Sequence, residues 1–401
     1  MKNKKNEIGL HVSLSTIFSI LVAIFLTTKM IRSFSGSNVA GGIWNYIQIV
    51  FVLWGLLVIV RQIKYFTQDL LFFALLLYTV FSLFHGLIYL KISMNGIFEY
   101  MMVAYPICII ALVHRDARLH KIENNPIIVT AFYVISFIFV FSMLRTGSYS
   151  TLIGAVADVY YILCLFPLMC ILTKDKYRIL PIGICLTAVV ISGKRLGIIL
   201  CVCMIALHYA HNAIHSKKVG DFFSGFLRLA IASLGVICIF YIVNANYNNG
   251  LFYRFQRMLF EGDTSGRGGI WRSVIEKINS SAIRYWIIGH GSGAVYDSLG
   301  NNAHNDFLEI MYNFGVVPCA MYILFYVASV FELIKMFQNK YVYAMYFLMS
   351  VICSFGLALG SFYAIAPTYV TCGMLTVGYI YSDYKKYLLN LKKTRLNVKN
   401  D

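Results

Sequence analysis

Apolar residues occur in this chain as long blocks that short polar segments separate. The blocks are rich in Leu, Ile, Val and Phe and lack the apolar and polar alternation of lipid-facing strands. Many approach about 20 residues, the length that a helix needs to cross a bilayer core. We therefore predict an all-α polytopic integral membrane protein with about 12 transmembrane helices. The predicted spans are 10–31, 43–60, 69–90, 97–113, 126–144, 153–173, 178–192, 196–210, 225–245, 316–337, 341–359 and 364–381.

One long polar segment interrupts this pattern and divides the chain into four predicted parts. Residues 1–245 form a membrane bundle of spans 1–9, and residues 246–315 form one large extracytoplasmic loop with short amphipathic helices. Residues 316–383 hold spans 10–12, and residues 384–401 form a basic cytoplasmic tail. The first span is longer than a signal-peptide core, so we interpret it as a retained signal anchor.

Composition agrees with a membrane protein, since 59% of residues are hydrophobic, 13% are charged and the mean hydropathy is +0.72. The formal net charge is +17, but the basic residues stand in small clusters between apolar blocks, which argues against nucleic-acid binding. The positive-inside rule places the richer clusters and both termini in the cytoplasm, and the large loop outside. The ten cysteines lie in or beside apolar blocks, so we expect neither a disulfide framework nor a cysteine metal site.

His304 is the first candidate for chemistry, because it precedes a short amphipathic helix in the large loop. We predict that Asp306 caps this helix, that Glu309 completes a capping box and that Gly315 ends it. Glu309 and Asn313 are expected to face water, and a histidine here can act as a general base toward a hydroxyl group. The alternative is a polar interface residue or cap partner. The apolar stripe expected to rest on the bundle or on lipid is Phe307, Ile310, Met311 and Phe314.

Lys194 and Arg195 stand at the junction of two short spans, 178–192 and 196–210. Cations at membrane depth usually face a polar cavity or a ligand, and the amide groups of a helix that begins at Leu196 would point to the same place. An anion such as a phosphate is the expected partner. The alternative is that both side chains extend to lipid phosphates at the membrane surface.

Arg267 lies in a Gly-rich stretch ahead of a predicted amphipathic helix at 270–281. Glycines leave the backbone open beside the guanidinium, as an anion-binding loop requires. Arg272 in the same segment adds positive charge and is assigned a supporting role. The alternative is a surface loop whose arginine is solvated.

Two more residues are assigned supporting roles in the same cavity. His290 is a candidate for a second proton transfer, although its turn, Gly289–Gly293, matches no phosphate loop. Asp158 stands near the outer end of its span and is a candidate to line the cavity, with a paired interfacial residue as the alternative. Neither a carboxylate pair nor a metal-ligand spacing is evident, which argues against a two-carboxylate glycosidase and a zinc hydrolase. We expect neither a metal nor a cofactor.

These motifs resemble the O-antigen polymerase and O-antigen ligase superfamily of bacterial polysaccharide assembly. The resemblance rests on a late extracytoplasmic loop that ends in His304 and Asn305, then nine residues and Gly315, and it covers 192–337 by motif. It implies that His304 is the base for the acceptor hydroxyl, with Asn305 beside it. It also implies that Arg195 and Arg267 hold the lipid pyrophosphate. Lys194 is a candidate for the same role, because the chain reads Ser-Gly-Lys-Arg where the family has Ser-Arg.

The implied activity is that of a polysaccharide polymerase for O-antigen or capsule in the bacterial cytoplasmic membrane. Its donor and acceptor are undecaprenyl-pyrophosphate-linked oligosaccharides, and the transfer is inverting and metal-independent. Membrane lipids, a chain-length regulator and a flippase are the expected partners, and nucleic acid is not. A ligase that uses another acceptor is an alternative, although Pro318 stands where the ligase pattern has glycine. A polysaccharide flippase or transporter is the non-enzymatic alternative, although the chain lacks a visible repeat.

Overall fold

The computed structural model describes residues 13–88, 94–119, 125–146, 155–174, 177–215, 266–361 and 367–397, with isolated positions 227, 230, 234, 235, 238 and 241. Within these ranges the chain is helical and contains no strand. The helices are α1 (Leu14–Ser35), α2 (Asn38–Arg61), α3 (Ile63–Gln68), α4 (Leu70–Ile88), α5 (Met94–Leu119), α6 (Pro126–Thr146), α7 (Val159–Leu172), α8 (Ile179–Ser192), α9 (Arg195–His215), α10 (Arg267–Ser280), α11 (Ile283–Ile288), α12 (Ala294–Leu299), α13 (Asp306–Phe314), α14 (Val316–Asn339), α15 (Tyr341–Gly360) and α16 (Pro367–Asn397).

The all-α class is therefore confirmed, and the protein has the character of a membrane-embedded one. Five of the described helices, α1, α2, α6, α14 and α15, are long and apolar enough to cross a membrane. A helix occupies each predicted span except 225–245, most of which lies outside the described residues. That all twelve segments cross a membrane remains a prediction.

The centre of the bundle is α5, which packs against α2, α4 and α16. The side chains of α5 from Tyr105 to Val113 are almost completely buried. Gly55 on α2 allows the closest approach, because a Cβ there would lie 2.4 Å from the Cβ of Cys108. A larger residue at Gly55 would force the two helices apart.

The two ends of the bundle carry different polar groups. At one end, Lys385 of α16 lies 3.3 Å from both Asp69, which precedes α4, and Glu332 of α14. The opposite end carries the short helices of the loop, where α11 and α13 pack on α14 and the Nδ1 of His85 lies 3.2 Å from the carbonyl oxygen of Ile288. We call these the tail end and the loop end.

Helix α16 differs from the predicted division at residue 384. It continues without interruption from Pro367 to Asn397, and Tyr384 is only 1% exposed. The hydrogen bond from the Tyr384 hydroxyl to the Lys335 carbonyl oxygen, 3.1 Å, joins this part of α16 to α14. The basic residues of the predicted tail are therefore a continuation of the last helix up to Asn397. Charge alone suggested a separate segment, but the helix has no break at that point.

The described part of the predicted large loop, 266–315, consists of the four short helices α10–α13. The sequence pattern predicted a helix at 270–281, and α10 runs from Arg267 to Ser280, so it includes the arginine itself. Val274 and Ile278 are buried on its inner face, whereas Ile275 is exposed. Residues 246–265 of the predicted loop lie outside the described residues.

Candidate functional site

Helix α13 begins one residue earlier than its predicted cap implies. Asn305 is extended, with φ −152° and ψ 112°, and its Oδ1 accepts hydrogen bonds from the backbone N–H groups of Phe307 at 3.1 Å and Leu308 at 3.2 Å. Asn305 is therefore the N-cap, and the prediction of Asp306 for that position was wrong. Asp306 is the first helical residue, and its buried carboxylate accepts a hydrogen bond from the Tyr322 hydroxyl at 2.9 Å.

The polar side of α13 does not face water, which corrects a second prediction. Glu309 is 2% exposed and Asn313 is 4% exposed, because the preceding loop folds back over them. Glu309 Oε2 accepts a hydrogen bond from the Ala303 N–H at 2.7 Å, and Asn313 Oδ1 accepts one from Val295 at 3.1 Å. The apolar stripe does face the bundle as predicted, with Ile310 and Phe314 in its core and Phe307 and Met311 packed against that core.

A close crossing of backbones fixes the turn at Gly289 against the end of α13. The N–H groups of His290 and Gly291 donate to the carbonyl oxygens of Tyr312 and Asn313, each at 2.9 Å. A Cβ on Gly289 would lie 2.3 Å from the carbonyl oxygen of Asn313. The turn is thus a fixed junction between α11 and α13, and glycine is required for the approach.

His304 occupies an unusual backbone conformation two residues before the start of α13. Its φ of +52° is the only positive value at a non-glycine position among the described residues. Such a left-handed conformation costs roughly 1 kcal/mol for a residue with a Cβ, so the surroundings must impose it. Histidine is among the side chains that tolerate this region better than most.

The charges of two cations from separate parts of the chain act on the His304 ring. Burial, the charge of Arg267 and the charge of Lys194 lower the pKa of His304 from 6.5 to about 4. His304 is therefore neutral at physiological pH, and its ring nitrogen can accept a proton. The structure thus brings together a predicted base and two predicted anion-binding cations, which lie far apart in the sequence.

Arg267 is held at the loop end by α15. As the first residue of α10, it donates a hydrogen bond from Nη1 to the carbonyl oxygen of Gly360. Asn305 reaches the same helix end, with its Nδ2 donating to the carbonyl oxygen of Leu359 at 3.3 Å. The C-terminal turn of α15 is therefore the common support for the arginine and for the residue after His304.

Lys194 and Arg195 lie where α8 meets α9. Gly193 ends α8 with φ +63°, the Lys194 N–H donates to Ser192 Oγ at 3.2 Å, and Arg195 is the first residue of α9. Both cationic side chains are half-buried. Their position at a helix N-terminus favours an anion, since the first amide groups of α9 point in the same direction. Lys194 thereby joins the site through its effect on His304, and Arg195 is its immediate neighbour.

The supporting residues His290 and Arg272 lie in different surroundings. The His290 ring stacks between Tyr285 and Tyr312, with ring centroids 4.3 Å and 4.4 Å away, and its Nε2 lies 2.9 Å from Ser281 Oγ. Burial and the charge of Lys277 lower its pKa. These contacts hold the His290 ring in place within the loop. A role of His290 in proton transfer stays a prediction. Arg272 is exposed on α10.

Asp158 has neighbours of its own. It precedes α7 at the loop end, is 2% exposed and interacts with Lys29, Ser33 and Tyr161. The next residue but one, Tyr160, approaches the α9 junction, because its Cε1 lies 3.5 Å from the position of a Cβ on Gly197. Asp158 thus interacts with α1 and α7 near the α9 junction, and its role in lining the cavity stays a prediction.

Two residues that sequence reasoning did not assign to the site contact the backbone of Ala303, the residue before His304. Trp271 Nε1 donates to the carbonyl oxygen of Ala303 at 2.8 Å, and Glu309 accepts from the N–H of the same residue at 2.7 Å. The sequence contains one indication for Trp271. It stands four residues after Arg267, and this spacing places both side chains on the same face of α10.

The site combines a neutral imidazole with one cation that α15 holds and two cations at the N-terminus of α9. This set of groups can bind an anion and accept a proton beside it. In the described residues, no group of three or more His, Cys, Asp and Glu side chains is placed to hold a metal ion. Compared with known proteins, the sequence matches no protein-family model, and a search of curated proteins finds no match.

Proposed function

We propose that this protein is a polysaccharide polymerase that transfers a growing glycan from undecaprenyl pyrophosphate to a sugar hydroxyl of a new lipid-linked repeat unit. One observation carries the proposal: His304 lies within the electrostatic influence of both Arg267 and Lys194. The resemblance to O-antigen polymerases drawn from the sequence assigns a base and anion-binding cations to His304, Arg267 and the α9 junction.

The proposed reaction is one displacement at the anomeric carbon of the donor sugar. The acceptor hydroxyl oxygen forms the new bond to C1, and its proton passes to His304. The bond from C1 to the phosphate oxygen breaks, and the pyrophosphate leaves with the electron pair. Attack from the face opposite the leaving group inverts the anomeric centre.

Arg267, Lys194 and Arg195 would stabilise the negative charge that grows on the leaving oxygen. Such an interaction is stronger in the transition state than in the ground state and therefore lowers the barrier. Because the donor brings its own activated leaving group, the reaction needs no nucleotide. If these three cations hold the pyrophosphate, a metal ion is not required for this role.

Donor binding would also strengthen the base. The charges of Arg267 and Lys194 contribute to the low pKa of His304 in the unliganded protein. A bound pyrophosphate would offset these charges and raise the pKa of His304 toward its ordinary value. His304 would then be a better proton acceptor when the donor is in place than when the site is empty.

We place the site on the extracytoplasmic face of the bacterial cytoplasmic membrane, because the basic clusters favour a cytoplasmic tail end. The lipid portions of donor and acceptor would remain in the bilayer while their pyrophosphates reach the loop end. A flippase that delivers the repeat unit and a chain-length regulator are the proposed partners. A ligase with a different acceptor would use the same base and cations.

The test uses the full-length protein in liposomes with an undecaprenyl-pyrophosphate-linked repeat unit as the only glycan substrate. Products are resolved by gel electrophoresis for wild type, His304→Asn and the control Arg284→Gln, which changes an exposed arginine on α11. Asparagine tolerates the left-handed backbone at position 304, so the variant is expected to fold.

A ladder of products with wild type and the control, but not with His304→Asn, would support the polymerase with His304 as base. A ladder from folded His304→Asn would overturn the role of His304. If wild type forms no ladder in this assay but transfers the glycan once a separate acceptor is added, the ligase replaces the polymerase.

A further inference from the structure

Ala303, the residue immediately before His304, is held from both sides of its backbone. Its carbonyl oxygen accepts a hydrogen bond from Trp271 Nε1 at 2.8 Å, and its N–H donates to Glu309 Oε2 at 2.7 Å. Ala303 itself is completely buried. We call Trp271 and Glu309 the Ala303 clamp. They come from α10 and α13, so the clamp also joins two helices of the loop.

The residue after His304 is fixed as well. Asn305 caps α13 through Oδ1 and donates from Nδ2 to α15. His304 therefore stands between two anchored neighbours, and its left-handed φ of +52° is imposed by them. Loss of either anchor would let the backbone relax to an ordinary φ, and this rotation would move the imidazole.

Helix α10 connects the clamp to the cation site. Arg267 and Trp271 are four residues apart and lie on one face of the helix. The first side chain bonds to Gly360 of α15, and the second bonds to Ala303. One helical turn therefore sets the spacing between a cation and the peptide that carries the base.

We infer that Trp271 and Glu309 are positioning residues that place the His304 imidazole relative to the donor pyrophosphate. This inference rests on the proposed function, because it assigns the clamp to the same reaction. Neither residue touches the reacting atoms in this scheme. Their effect passes through the Ala303 peptide, and it should appear in turnover and not in binding of the lipid-linked donor.

The experiment compares variants that remove one hydrogen bond with variants that keep it. Trp271→Phe removes the indole N–H but retains an aromatic ring, and Glu309→Leu removes the acceptor. Glu309→Gln retains an oxygen that can accept from Ala303. Matched controls are Trp286→Phe on α11 and Glu276→Gln on α10, both of which change exposed residues. For each, kcat and KM for the lipid-linked donor are measured in liposomes.

We expect Trp271→Phe and Glu309→Leu to lower kcat at least about tenfold with KM changed less than about twofold. Glu309→Gln and both controls should remain near wild type. Unchanged kcat in Trp271→Phe and Glu309→Leu would overturn the inference while leaving the polymerase proposal intact. A rise in KM with constant kcat would also overturn it, since that result would indicate a role in binding.

A second measurement does not depend on activity. Hydrogen exchange of the Ala303 amide reports whether Glu309 holds this N–H in the native protein. We expect faster exchange at Ala303 in Glu309→Leu, which loses the acceptor, with slow exchange preserved in Glu309→Gln. Unchanged exchange in Glu309→Leu would refute the clamp whatever the reaction. If exchange confirms the clamp but the protein forms no glycan ladder, then the proposed function is wrong and the clamp itself stands.

Discussion

The guanidinium of Arg267 donates a hydrogen bond to the carbonyl oxygen of Gly360, which fastens the first residue of α10 to the last residue of α15. Leu196 of α9 approaches the same residue, since its Cδ2 would lie 2.8 Å from a Cβ on Gly360, and Arg267 Nη1 would lie 3.6 Å from it. The arginine and the α9 junction therefore both lie against the space that a side chain at position 360 would fill. Three parts of the site meet at one position without a side chain.

This contact makes lysine a poor substitute for Arg267. A planar guanidinium can bond to Gly360 and present further N–H groups to a phosphate, whereas an ammonium is a single point charge. We expect Arg267→Lys to lower kcat/KM for the lipid-linked donor about tenfold, with Arg284→Lys as the matched control. An unchanged kcat/KM in folded Arg267→Lys would show that only the charge matters.

The titration of His304 should depend on the cations around it. Its pKa is about 4 in the free protein, and positive charge from Arg267 and Lys194 contributes to this value after burial. Removal of a cation favours the protonated ring, so Arg267→Gln and Lys194→Met should each raise the pKa toward 6.5. The measurement is an NMR titration of histidine-labelled protein, with the His304 signal identified by its loss in His304→Asn. A pKa that stays near 4 in both variants would contradict the proximity of the three groups.

Glu309 should make the stability of the loop depend on pH. Burial raises its pKa from 4.5 to about 7 despite the opposing hydrogen bond from Ala303. The folded state therefore binds the proton more tightly than the unfolded state, and its stabilising contribution is complete below pH 4.5 and lost as pH rises through 7. At ~1.4 kcal/mol per pKa unit the loss is about 3 kcal/mol.

The comparison for this prediction is Glu309→Gln, which does not titrate. From pH 5 to pH 8, wild type should lose thermal stability relative to Glu309→Gln. Parallel melting temperatures across this range would mean that Glu309 titrates near its ordinary pKa.

The close contact between the backbones at Gly315 and Ile287 predicts that alanine will destabilise the protein much more at Gly315 than at Gly300. A Cβ on Gly315 would lie 2.2 Å from the carbonyl oxygen of Ile287, at a backbone φ of +91°. Gly300 has φ +68° but open space around it. Gly300→Ala should cost roughly 1 kcal/mol from backbone strain alone, whereas Gly315→Ala should cost several times as much. Equal loss of thermal stability in the two variants would contradict the crossing.

Sequence periodicity predicted the helices of the bundle well, because long apolar blocks determine where helices can be buried. It also identified the apolar stripe of α13. It failed on Glu309 and Asn313, since a polar helix face can meet either water or the backbone of a returning loop. The positions of Trp271 and Ala303 relative to each other depend on the packing of α10 against α13, and no local pattern encodes that distance.

For the candidate residues too, local sequence predicted some features, and others depend on the folded structure. Lys194, Arg267 and His304 were each proposed from local composition, and the folded chain brings them together. The N-cap was misplaced by one residue because Asn305 and Asp306 are both good caps, and only the backbone conformation separates them. His290 stacks between two tyrosines and Asp158 interacts with Lys29, Ser33 and Tyr161, and the supporting roles of both residues stay predictions.

The left-handed backbone at His304 has a consequence for any library of substitutions at this position. Glycine and asparagine relieve the local strain, so clones that carry them should accumulate as much folded protein as wild type or more. Variants with β-branched residues should accumulate less folded protein, whatever their catalytic activity. The ranking of the twenty residues by abundance would therefore differ from their ranking by activity. Histidine would rank first for activity but not for abundance.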